Sequence, residues 1–203
     1  VRTMSLMFTF AFVTAQGARM GPLVLAANAI LMNLQNLLSF ALDGFAHAAE
    51  ALVGKAVGAK SREALQDSVR ITLRWSAYVA AGFCVFFLLA GPLLVNLLTD
   101  LPQVRETTLR YLPWIILSPV VSVWSFLYDG VFVGATRSRE MRDIMLASTF
   151  LVFIPAWYFL QFLGNDGLWL AFMLFMSSRG LGMHYFFRTR VVHSVAQQEA
   201  SNR

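Results

Sequence analysis

Six apolar runs, each parted from the next by a short polar break, constrain this chain more than any other feature. They are Thr3 to Ala18, Leu23 to about Phe45, Ile71 to Leu98, Tyr111 to Ala135, Ile144 to Leu163 and Leu168 to Phe187. A helix rises 1.5 Å per residue, so about 20 mostly apolar residues cross the ~30 Å hydrocarbon core of a bilayer. A soluble fold of 203 residues has too little interior for this sequence, in which 58% of residues are hydrophobic and 13% charged, with a mean hydropathy of +0.62. Ordinary globular domains hold about 45–50% apolar and about 25% charged residues. The runs therefore predict an all-α polytopic membrane protein with six transmembrane helices over residues 1–190.

The breaks between the runs set the orientation. Basic residues gather after the second run (Lys55, Lys60, Arg62, Arg70), the fourth (Arg137, Arg139, Arg142) and the sixth (Arg188, Arg190). The other breaks carry Arg19 alone, then Arg105 and Arg110 offset by Asp100 and Glu106, and no base at all in "GNDG". By the positive-inside rule the clusters and the C-terminus lie in the cytoplasm, with the chain crossing the cell (inner) membrane. The excess of 16 Lys and Arg over 11 Asp and Glu then reflects orientation, with membrane lipids rather than nucleic acid as surroundings. Residues 48 to 68 turn amphipathic and predict an interfacial helix, whereas 191–203 have little to bury and are expected to be disordered. The opening run is followed by no cleavage site and polar domain, so the chain is expected to be cut from something longer.

Ionisable groups inside such runs are costly and mark candidate sites. Asp129, in "WSFLYDGVFVGATR", is the leading candidate to carry a cation or proton, and Asp43, in "SFALDGFAHAAE", is the second, nearer the interface. If Asp129 carries a coupling charge, Asp129→Asn should fold normally and export poorly. Asn28, Asn33, Gln35 and Asn36 make the second run the most polar; with Gln16 on the run before and Tyr128 beside Asp129, they are the candidate cavity-lining side chains. The same polar row could instead form a seam between helices. His47 and Glu50 face no second such pair, so no metal site is expected. No nucleophile with a base and no Gly-x-Ser-x-Gly motif appears, so the chain does not read as an enzyme. Pro113, Pro119 and Pro155 predict kinks in the later runs.

Two stretches, "LDGFAHAAEALVGKAVGAKSRE" and "YDGVFVGATRSREMRD", repeat the same punctuation: an Asp-Gly pair followed by a basic Gly-Ala turn. Through them the sequence resembles the multidrug and toxic compound extrusion (MATE) family, in particular its DNA-damage-inducible, DinF-like subfamily. The resemblance covers essentially the whole chain as the C-terminal lobe, helices seven to twelve of twelve. It implies an antiporter that exports small amphipathic or cationic substrates against a proton or sodium ion, with no other cofactor, and a missing N-terminal six-helix lobe as partner. It also implies an acidic coupling site with Asp129 at the tenth-helix position, although the seventh-helix stretch from Thr3 to Ala18 has no acid. The other readings are a lipid-linked oligosaccharide flippase of the same superfamily, which needs a basic cavity, and a non-transporting membrane subunit.

Overall fold

Every apolar run becomes a helical rod in a computed structural model that describes residues 2–201. The elements are α1 (Arg2–Arg19), α2 (Pro22–Gly58), α3 (Arg62–Leu98), α4 (Pro102–Gly134), α5 (Ser138–Ala147), α6 (Ile154–Leu160), α7 (Asn165–Phe186) and α8 (Val192–Ser201). A π-helical stretch, Ser148–Phe153, joins α5 to α6, and another, Phe187–Val191, joins α7 to α8, so the eight elements form six rods. The rods over Pro22–Gly58, Arg62–Leu98, Pro102–Gly134 and Ser138–Leu163 are each long and apolar enough to cross a membrane.

Local chemistry sets the helix ends. α2 and α4 begin on proline, whose missing N–H is of no consequence in a first turn. α3 is capped by Ser61, whose Oγ accepts the Ala64 N–H at 3.2 Å. The two basic turns close alike. Ser61 N–H donates to Ala56 O and Lys60 N–H to Val57 O, while Arg137 N–H donates to Phe132 O and Thr136 N–H to Val133 O. Both are Schellman turns, with the left-handed position held by Lys60 (φ 52°) and Thr136 (φ 56°) rather than by glycine. The glycine of each motif, Gly58 or Gly134, is the last helical residue instead.

Two expectations are corrected. The amphipathic stretch from 48 to 68 is not one interfacial helix, because α2 runs on to Gly58, the chain turns at 59–61 and α3 starts at Arg62. Both flanking segments are then held by apolar contacts among Val53, Ala56, Leu65 and Val69. The segment expected to be disordered is helical to Ser201, since Val191, Val192 and Val195 are buried on the same cluster and the Arg62 N–H donates to Glu199 Oε2 at 3.2 Å. Of the prolines, Pro113 and Pro119 lie within an unbroken α4, whereas Pro155 follows the π-helical Ser148–Phe153. There the widened turn accommodates a ring that would meet the carbonyl of Leu151 in an α-helix.

α4 is the hub. Its apolar stretch is 67% buried, against 17–33% in the other three membrane-length helices. It meets α2 backbone to backbone: a Cβ on Gly130 would stand 1.9 Å from Ala46 O, and one on Gly134 would stand 2.4 Å from Glu50 O. Gly130 and Gly134 are four apart, the small-x-x-x-small spacing that lets membrane helices touch without a hydrophobic drive between them. Gly44, in the other Asp-Gly pair, has nothing within 4 Å of such a Cβ. The two pairs that match in sequence therefore do different work.

Candidate functional site

A stripe of polar residues runs along the buried α4, at Ser118, Ser122, Ser125 and Asp129, spaced by four, three and four residues. At 1.5 Å per residue it extends about 16 Å, half the thickness of a hydrocarbon core. All four side chains are buried, so each needs a partner inside the lobe.

The partners come from α2 and α7. Ser118 Oγ donates to Gln35 Oε1 and lies 3.3 Å from Ser122 Oγ. Ser125 Oγ donates to Met176 O at 2.6 Å. At the end nearest the basic turns, Arg179 Nη2 donates to Asp129 Oδ2 at 2.6 Å in an ion pair excluded from solvent. The guanidinium also lies 3.6 Å from Met176 Sδ and 5.7 Å from the Phe175 ring centroid. Gln35 Nε2 and Arg179 Nε have no hydrogen-bond partner among the described residues. A second polar layer closes the opposite end. The Asn28 and Asn165 amides exchange hydrogen bonds of 2.7 and 3.0 Å, Trp169 Nε1 donates to Asn28 Oδ1 at 3.0 Å, and Trp114 Nε1 donates to Asp166 Oδ1 at 2.9 Å.

These positions separate the candidates read from the sequence. Asn28 and Gln35 do not line an open cavity: both are buried in side-chain hydrogen bonds between helices, where an unpaired amide would be costly. Asn33 and Asn36 project from the other side of α2, exposed beside Leu37 and Phe40. Gln16 on α1 and Asp43 on α2 are half-buried. Tyr128 is buried, its hydroxyl 2.6 Å from His184 Nδ1, and forms part of the wall of a cleft at the basic end. Asp129 is where a membrane-embedded carboxylate was expected, but not as an isolated one.

Arg179 is the residue that sequence reasoning underrated. It is the single arginine within the sixth run, toward its end, and in the fold it neutralises Asp129 from 50 positions away. The usable signal was the coexistence of one acid and one base deep in two apolar runs, since each is far cheaper to bury beside the other. The pair argues against the expectation that Asp129→Asn would fold normally, because asparagine would leave a buried guanidinium without its counter-charge. It also removes Arg179 from any basic cavity, as the flippase reading would require. His47 Nδ1 and Glu50 Oε2 lie 3.5 Å apart, with 79% and 43% of their side chains exposed.

The MatE family model matches residues 1–159. DNA damage-inducible protein F of Escherichia coli (strain K12) is 43% identical over 188 residues, which is 93% of this chain and 41% of that protein. Protein DETOXIFICATION 45, chloroplastic, of Arabidopsis thaliana is 21% identical over 183 residues, 88% of this chain and 32% of that one. Among solved structures, a MATE transporter in the bent conformation superposes with a TM-score of 0.87 at 15% identity, covering 98% of this chain and 44% of its own. The outward-facing conformation of a multidrug resistance MATE family transporter of the MOP superfamily gives 0.86 at 15% identity, with 97% and 45% covered. The structural likeness is one of fold. The chain spans about two fifths or less of the curated relatives it matches.

Proposed function

The chain belongs to the MatE family, and we propose that it forms the C-terminal six-helix lobe of a cation-coupled antiporter exporting small amphipathic, often cationic compounds. Its partner in this reading is an N-terminal six-helix lobe, and the two rock against each other about a central cleft. The basic turns and the C-terminal end face the cytoplasm, and the rods cross the cell membrane. A proton or sodium ion drives export. Asp129 takes part by exchanging Arg179 for the coupling cation as α4 and α7 shift, and Asp43 plays the lesser role near the interface.

One observation carries the two-lobe reading. Between Trp75 and Leu93 the exposed face of α3 is apolar, with Val85, Leu88, Leu89 and Leu93 54–76% exposed, as a lipid-facing surface must be. The exposed face of α2 carries Asn33 and Asn36 near the middle of a membrane-length helix. Two amides at that depth would each go unsatisfied in hydrocarbon, so that face borders water or another protein surface.

Cysteine labelling of the complete protein tests this. In a Cys84→Ala background, Asn33→Cys and Asn36→Cys are expected to react with a charged maleimide at least tenfold faster than Leu89→Cys, because the reactive thiolate forms only in water. Transported substrate should slow the reaction. Equal, slow labelling at all three positions would place α2's face in lipid and remove the cleft.

A further inference from the structure

At the basic end of the lobe a cleft of about 570 Å³ opens between the start of α3, the end of α4 and the α7–α8 rod. We propose that this cleft holds a phosphate-bearing anion, the headgroup of an anionic phospholipid. It goes beyond transport: the site depends on the basic end lying at a membrane surface, and on nothing about the exported compound.

Charge points to an anion. Arg62, Arg70 and Arg188 all line the cleft, with His193 beside them, and Asp67 is the one carboxylate in its lining. The count is three fixed positive charges to one negative. Among the described residues, none of the three guanidinium groups is ion-paired or hydrogen-bonded to a side chain. Arg137, Arg142 and Arg179 differ in this respect, since each has its own carboxylate at 3.0 Å or less. Unused guanidinium forks gathered around a concavity match the geometry of a phosphate, which accepts paired N–H donors from several directions.

The architecture points to a lipid as the source. Val69, Leu73 and Phe187 give the cleft an apolar floor suited to the glycerol and first acyl carbons rather than to a fully hydrated ion. The rigid wall is the Tyr128–His184 pair, fixed by its 2.6 Å hydrogen bond and edge-to-face ring contact. The third side is α8, whose Val192 and Val195 pack on the cluster containing Leu65 and Val69, so the cleft is built between elements rather than spread over a flat surface. Basic pockets between membrane helices on the cytoplasmic side are suited to anionic headgroups, because the leaflet's surface potential concentrates such ligands there.

The experiment uses the complete protein in neutral detergent, with lipid binding measured by native mass spectrometry and melting followed in parallel. Parent protein is expected to bind phosphatidylglycerol at least tenfold more tightly than phosphatidylcholine. The variant Arg62→Gln/Arg70→Gln/Arg188→Gln should lose that preference to within twofold. The control Arg139→Gln/Arg142→Gln/Arg190→Gln, with the same charge change at the same end but outside the cleft, should keep it. Equal loss in both triples would mean non-specific attraction, and no preference in the parent would mean no site. Displacement of the lipid by millimolar glycerol 3-phosphate would assign the cleft to a soluble phosphate; each of these results overturns the proposal. If the cleft triple melts below the parent without lipid, Arg188→Gln alone serves, and a loss of preference of at least threefold is then expected.

Discussion

Replacing Asp129 by asparagine in the complete protein is expected to destabilise it by about 3–5 kcal/mol, the usual cost of removing one member of a buried ion pair. Arg179 Nη2 lies 2.6 Å from Asp129 Oδ2, and Arg179 is 1% exposed. Asparagine keeps the shape and one acceptor oxygen but not the charge, so the guanidinium stays buried without compensation. Arg179→Gln should cost a similar amount for the mirror-image reason. The double variant Asp129→Asn/Arg179→Gln should recover most of the loss, since neutral partners can hydrogen-bond to each other and a buried pair is often neutral against an uncharged replacement. Denaturant titration in mixed micelles reads all three. Single variants as stable as the parent would show that the pair does not hold α4 to α7. The double variant also separates structure from coupling. If it folds and still exports in step with the ion, the carboxylate is structural; if it folds and export no longer follows the ion gradient, Asp129 carries the coupling.

The second large effect is expected at the α2–α4 crossing. Gly130→Ala should destabilise the lobe by about 3 kcal/mol or more, at or beyond the upper end of ordinary overpacking, because the new methyl meets backbone rather than a side chain able to rotate away. Its Cβ would stand 1.9 Å from Ala46 O, and that of Gly134→Ala would stand 2.4 Å from Glu50 O. Relief requires α2 and α4 to separate along a seam that also holds Gln35 against Ser118. Gly44→Ala, which meets nothing within 4 Å, should be neutral or gain up to about 1 kcal/mol from helix propensity. Melting in detergent compares the three. Equal behaviour of Gly44→Ala and Gly130→Ala would contradict the close crossing.

Much of this lobe was legible because membrane solvation writes itself along the chain. A run long enough to span needs no partner to be recognised, and all six runs became rods, although the helices reach past the runs, α2 to Gly58, α3 from Arg62 and α4 from Pro102. What was illegible depended on partners far away in sequence. Asn28 reads as a wet helix face until Asn165 and Trp169, 137 and 141 positions on, are seen to complete it. Gln35 and Asn36 are neighbours with opposite fates, one buried against Ser118 and the other exposed, and polarity alone could not assign their sides. Two signals were available and underused. Gly130 and Gly134 carry the small-residue spacing of a tight membrane crossing. Val191, Val192 and Val195 offer an apolar face in a segment that looked too polar to order, and the cluster around Leu65 and Val69 was there to receive it.

Ion-driven efflux from proteoliposomes tests most directly whether this chain is one lobe of a two-lobe exporter. The complete protein, reconstituted at a known amount, should expel an amphipathic cationic dye when a proton or sodium gradient is imposed, and efflux should stop when that gradient is collapsed. This chain reconstituted alone at the same amount should expel none, because alternating access needs a second bundle to move against. Dye efflux from the chain alone, or efflux from the complete protein that ignores both gradients, would contradict the account.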